Sequence, residues 1–150
     1  MSLSLSSQSI NIIKNSAELI TSNDTKITSR MYEILFLKYP HVQTLFKNAP
    51  ADQYMRLAEI LSAYAVNIDK LERLKPALMV IASTHVGVGI KAAHYPMIGM
   101  VLMQAIEDVL GEKATLMFMD AWREAYQIVA STLIKLEEEI YKSNGEIKVL

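Results

Sequence analysis

The sequence predicts an all-α protein. Apolar residues recur at three- and four-residue steps along almost the whole chain, no run alternates convincingly over a strand's length, and the connections between periodic stretches are short. At 150 residues the expectation is a single domain, 1–150, large enough to bury a core without disulfide or metal staples. No internal repeat is visible, and no heptad pattern is sustained, so angled helix-on-helix packing is expected rather than a coiled coil.

Each element follows from local signals. Residues 1–8 read as a flexible arm. From Ser9 a helical pattern places Ile10, Ile13, Ala17 and Ile20 on one face. Ser22 to Thr25 is a turn with capping side chains. The next helix carries Ile27, Met31, Ile34 and Leu35, with Tyr32 beside them. Pro40 ends it at Tyr39 and starts a short helix leading to Leu45 and Phe46. A fourth helix, from about Ala51, has Leu57, Ile60, Leu61, Tyr64, Ala65 and Ile68 as its stripe. A fifth begins near Leu71, with Pro76 in its early turns and Leu74, Leu78, Ile81 and His85 on one face. Gly87 and Gly89 are expected to end it. The sixth starts near Tyr95-Pro96, presents Ile98, Val101, Leu102, Ala105, Ile106 and Val109, and closes at Gly111. The seventh runs from about Ala114 to Lys142, with Phe118, Trp122, Tyr126, Val129, Leu133, Glu137 and Ile140 in register. A tail is expected at 143–150.

Composition excludes several classes of chemistry. There is no cysteine, which removes disulfides, cysteine-ligated zinc, iron–sulfur clusters and thiol catalysis, and fits a reducing compartment such as the cytoplasm. The net charge is −1 with signs mixed along the chain, so no basic face points to nucleic acid. Hydrophobic residues make up 51% and the mean hydropathy is positive. No stretch reaches the roughly 20 apolar residues of a membrane span, and the N-terminus lacks a signal-peptide pattern. The apolar surplus therefore belongs to a core, a buried ligand or an oligomer interface; a monomer and a homodimer both fit.

Residues 76–106 carry a single formal charge, Lys91, and two of the three histidines, His85 and His94. His85 faces the core. It is either a hydrogen-bonded structural histidine or an iron ligand through one nitrogen, with an acceptor on the other. No second histidine stands at the spacing of a helical zinc site, so one axial histidine on an apolar wall suits haem better than zinc. Glu137 occupies an apolar register of the last helix. Either the helix has left the core there, or the carboxylate accepts from the free nitrogen of His85. Tyr32, Tyr95 and Tyr126 sit on or beside core-facing stripes, where each is also plain amphipathic packing. Met97, Met100 and Met103 flank the stripe of the sixth helix. No phosphate-binding loop, nucleophile elbow, HExxH or calcium-loop pattern occurs.

Several stretches together resemble a known family: INIIKNS near the start, YPHVQTLF at 39–46, NIDKL at 67–71, THVGVGIKAAHYPMIG at 84–99 and DAWREAYQIV at 120–129. They are similar to the globin domain of flavohaemoglobins and to the single-domain bacterial haemoglobins of that branch, over about Ile10 to Tyr141. The resemblance implies a globin fold around haem b (iron protoporphyrin IX). It makes His85 the proximal iron ligand and sets Tyr95 and Glu137 around it. It packs Phe46 on the porphyrin and places Tyr32, Gln53 and Leu57 on the distal side. The implied haem-lining set is His85, Phe46, Leu57, Tyr95, Tyr126 and Leu102; the implied catalytic set is Tyr32, Gln53, Tyr95 and Glu137. The chain departs from the family in a shorter break between Phe46 and Gln53, and in Thr84 where lysine is common.

What the resemblance implies for function is reversible oxygen binding at a five-coordinate iron. It also implies conversion of nitric oxide to nitrate, with electrons from a separate flavin- or nicotinamide-dependent reductase, since no reductase pattern follows before Leu150. The competing expectation is a non-enzymatic oxygen carrier, store or sensor.

Overall fold

The computed structural model describes residues 5–149, with side chains through residue 144. Among these are seven α-helices, three short 3-10 helices and no strand, as an all-α chain requires. The α-helices are α1 (Ser7–Asn15), α2 (Ala17–Thr21), α3 (Asp24–Lys38), α4 (Gln53–Val66), α5 (Lys75–Val88), α6 (His94–Leu110) and α7 (Leu116–Val149). The 3-10 helices are Pro40–Phe46, Leu71–Leu74 and Gly111–Lys113.

Several boundaries differ from expectation, each for a local reason. Helix α1 starts at Ser7, because Ser6 caps it by accepting from the Ser9 backbone N–H. Ser6 and Ser9 also bond Glu124 of α7, which anchors part of the stretch expected to be a free arm. Residues 1–4 lie outside the described residues. The pattern from Ser9 to Ile20 is two helices, broken at Ser16, whose hydroxyl donates back to the Ile12 carbonyl at 2.5 Å. Periodicity does not register the break because Ile13 and Ile20 are both fully buried.

Pro40 ends α3 at Tyr39, as expected, and opens the 3-10 turn to Phe46. The pattern beginning at Leu71 is a 3-10 turn followed by α5, with Pro76 in the first turn. Gly87 lies inside α5. Only Gly89, at φ 89°, takes the left-handed conformation that ends the helix. Gly111, at φ 58°, ends α6. Helix α7 begins at Leu116 and takes in Ser143 and Asn144; the rest of the expected tail lies outside the residues with described side chains.

Helix α3 packs on α6 and α4, while α1 and α5 pack on α7. The main core gathers around Leu35, Ile106 and Trp122, and a smaller cluster joins Ala82, Ile90, Tyr95, Ala130 and Leu133 at the α5–α7 end. Ile60 is exposed and Met103 is buried, the reverse of their expected places. Among the described residues, three polar or charged side chains are buried: Ser9, Thr28 and Glu137. Burying a polar group requires a partner to offset the loss of water, so each of the three marks a specific local arrangement.

Candidate functional site

Three helices build a closed hydrogen-bond cluster around His85. Helix α5 delivers the imidazole, α6 delivers Tyr95 one residue into its first turn, and α7 delivers Glu137. His85 Nδ1 lies 2.9 Å from Glu137 Oε2 and 3.0 Å from the Tyr95 hydroxyl. That hydroxyl donates to the same Oε2 at 2.7 Å. The Tyr95 proton is thus spent on Glu137, and a carboxylate only accepts, so Nδ1 carries the hydrogen and donates. In the neutral ring this leaves the lone pair on Nε2. Nε2 has no hydrogen-bond partner among the described residues, and neither does the buried Glu137 Oε1.

Glu137 is 2% exposed, which decides between the two readings of its register: the helix has not left the core at this turn. Burial, followed by the hydrogen bond to Glu137 and its negative charge, holds the Tyr95 hydroxyl far above the usual phenol range. Tyr95 therefore stays a donor at any physiological pH.

Two further tyrosines brace the cluster. Tyr126 donates to the Tyr95 backbone carbonyl at 2.6 Å. Its ring lies so close to α6 that a Cβ on Gly99 would come within 2.6 Å of Tyr126 Cε2. Gly99 is thus required for a close approach, not for backbone freedom. Tyr141, one turn beyond Glu137, donates to the Ile90 carbonyl at 2.7 Å, and Lys91 Nζ sits 3.7 Å above its ring. Ile90 N in turn bonds the His85 carbonyl, so the chain leaving His85 is tied to α7.

The second region lies between α3 and the start of α4. Tyr32, Phe36 and Phe46 form an aromatic triangle, with Tyr32–Phe46 and Phe36–Phe46 centroids both 5.4 Å apart and edge-on. A cavity of about 220 Å³ opens beside them, lined by Ser29, Tyr32, Phe46, Ala51, Gln53 and Tyr54 among others. Burial pushes the Tyr32 phenol up to about 12, and Gln53, facing its hydroxyl, offsets part of the rise. Gln53 and Tyr32 thus share one cavity despite the short break before α4. Leu57, a turn further along α4, is half-buried against the main core, as is Leu102 on α6.

Sequence reasoning missed the roles of Gly99 and Tyr141. Gly99 sits at an ordinary helical position, and Tyr141 follows an acidic run that reads as solvated surface. A tyrosine one turn beyond a suspicious buried glutamate was the available signal for the second.

The globin family model matches residues 29–133, more than half of the chain, and the chain belongs to that family. An uncharacterised globin-like protein of Aquifex aeolicus is 45% identical over 139 residues, covering 91% of this chain and 97% of its own. A flavohemoprotein of Bacillus thuringiensis is 36% identical over 141 residues, covering 92% of this chain but 35% of its own length. The chain therefore spans about a third of such flavohemoproteins. Among solved structures, an engineered carbene transferase derived from a "putative nitric oxide dioxygenase" of Rhodothermus marinus superposes with a TM-score of 0.91. It is 33% identical and covers 95% of this chain and 99% of its own.

Haem is the cofactor expected of a globin, and the residues present fit it. The α5 face bearing His85 is apolar yet incompletely covered by protein: Ala82 is buried, while Leu78, Ile81 and His85 are half-buried. A single imidazole with its Nδ1 hydrogen-bonded and its Nε2 free among the described residues suits a metal already chelated by a macrocycle. Among the described residues no helix is long and apolar enough to cross a membrane.

Proposed function

We propose that this chain binds haem b through His85 Nε2, takes up oxygen, and oxidises nitric oxide to nitrate in the cytoplasm with a separate flavin- or nicotinamide-dependent reductase. The observation that carries the reading is the convergence of His85 Nδ1 and the Tyr95 hydroxyl on one oxygen of buried Glu137. A hydrogen bond from a ligand imidazole to a carboxylate increases its electron donation to a metal. That favours oxygen activation over simple storage.

Haem, when bound, would supply the iron chemistry that joins oxygen and nitric oxide to nitrate, with the reductase as the source of the one electron each turnover consumes. The chain's own residues supply the setting. His85, fixed in one tautomer, would hold the iron through Nε2. Tyr32, kept protonated by burial, presents to the cavity a hydroxyl donor that would stabilise negative charge developing on a small ligand. Gln53 orients that hydroxyl, and Phe46 with Leu57 and Leu102 excludes water. Tyr126 acts through the Tyr95 backbone.

The test begins with colour. Purified protein should be red with a Soret band, and His85→Ala should lose it. A wild type that stays colourless with added haemin would end the reading. Oxygenated protein supplied with a generic reductase should consume nitric oxide. Tyr32→Phe should slow turnover by roughly 100-fold or more, the scale of one lost transition-state donor. Wild-type turnover no faster than free haem would leave an oxygen carrier, store or sensor.

A further inference from the structure

Two hydrogen bonds between helices pin α3 to α4. Ser62 donates to Asp24 Oδ2 at 2.7 Å, and Thr28 donates to the Tyr54 backbone carbonyl at 2.6 Å. Asp24, Thr28 and Tyr32 are spaced one turn apart and so share a face of α3. On α4 the partners run the other way, from Ser62 back to Tyr54, the residue after Gln53. The third step along this seam is the cavity itself, which Tyr32 and Gln53 both line with the Gln53 side chain facing the Tyr32 hydroxyl. Thr28 is thus the α3 side chain one turn before Tyr32 that bonds the α4 backbone directly.

Thr28 is also 0% exposed, and its hydroxyl reaches the Tyr54 carbonyl at 2.6 Å and its own helix's Thr25 carbonyl only at 3.5 Å. Its burial is costly without the Tyr54 carbonyl as acceptor. A valine would fill the same volume without that requirement, so packing alone does not ask for the hydroxyl. Tyr54 and Gln53 belong to the first turn of α4, whose start has no side-chain cap hydrogen bond. The Thr28 hydroxyl ties that turn to α3 through the Tyr54 carbonyl.

We infer that Thr28 is a positioning residue: through the Tyr54 carbonyl it sets the separation of Tyr32 and Gln53 and thereby the strength of the polar contact they offer a small ligand. The inference rests on the haem reading above.

The test uses haem-loaded wild type, Thr28→Val, Thr28→Ser and Ser62→Ala. Ser62→Ala removes the other pin, remote from the cavity, and serves as the control for general loosening. The readouts are the C–O stretching frequency of the carbon monoxide adduct, the oxygen dissociation rate and the thermal midpoint. Thr28→Val should shift the C–O stretch and speed oxygen release roughly 5-fold or more, as expected for one weakened hydrogen bond. Thr28→Ser should stay within about 2-fold of wild type, since it keeps the hydroxyl. Ser62→Ala should lower the thermal midpoint and leave the stretch unmoved. Thr28→Ala serves the same comparison if valine prevents folding.

The proposal is overturned if Thr28→Val lowers the midpoint with both ligand readouts at wild-type values. It is also overturned if serine behaves as valine does, or if Ser62→Ala shifts the stretch equally. A wild type that takes up no haemin would sink the haem reading itself, an outcome distinct from these three.

Discussion

The His85 cluster and the Tyr32 cavity are built on different principles. On the His85 side, five polar side chains from three helices and two backbone carbonyls, those of Tyr95 and Ile90, engage in hydrogen bonds of 2.6 to 3.0 Å. On the Tyr32 side, aromatic rings meet edge to edge around a cavity of about 220 Å³, and the polar pair Tyr32 and Gln53 faces open space. A ligand imidazole must hold one orientation, and directional bonds supply that. A pocket that admits small molecules must keep room, and rigid apolar walls supply that instead. Changes on the first side should cost stability and haem retention together. Changes on the second should alter ligand behaviour at little cost in stability.

The largest expected contrast is His85→Ala, which should lose haem outright, against Tyr32→Phe, which should keep the Soret band. Equal haem loss in both would erase the distinction. Next is Glu137→Gln. It removes the charge that both donors share and should cost about 2 kcal/mol of stability, the scale of hydrogen bonds to a charged group. In the ferrous protein it should lower the iron–histidine stretching frequency. An unchanged frequency would mean that Glu137 holds the fold and not the ligand.

Gly99→Ala sharpens the comparison further from the ligand. Its new methyl would meet Tyr126 Cε2 at 2.6 Å, so the ring must move away from the Tyr95 carbonyl. Overpacking of this kind costs about 1–3 kcal/mol, which chemical denaturation would register.

The smallest effect near neutral pH comes from the tyrosines themselves. Burial raises Tyr32, Tyr64, Tyr95 and Tyr126 above the ordinary phenol value of 10.0. Above that value the unfolded chain releases phenolic protons that the folded chain retains, so stability falls as pH rises. The contribution is complete below about pH 10, and the Tyr32 share is lost by about pH 12. Denaturation midpoints between pH 9 and 11, with Tyr32→Phe showing a shallower decline, would check the sign.

Much of this was legible in the chain. The three- and four-residue periodicity gave the helices, because burying one stripe is what makes a helix stable in a globular protein. It also placed His85 on an inward face and exposed Glu137 as an apolar-register carboxylate. Helix ends were less legible. Ser16 breaks a helix without disturbing its apolar register, and Gly87 looks like a stop but lies within α5. Both depend on hydrogen bonds and dihedral angles that residue type alone does not specify.

The sequence by itself determined which residues are apolar, which helices they form, and that a histidine and a glutamate stand where leucines would serve. Only the tertiary structure decided that these two meet, fifty-two positions apart, on a single oxygen shared with Tyr95. The reason is physical. Periodicity is a property of one helix and fixes a direction, whereas a hydrogen bond between helices needs a distance and an angle. Those are set by how closely α5, α6 and α7 approach, and that approach is governed by contacts as remote as the missing methyl of Gly99.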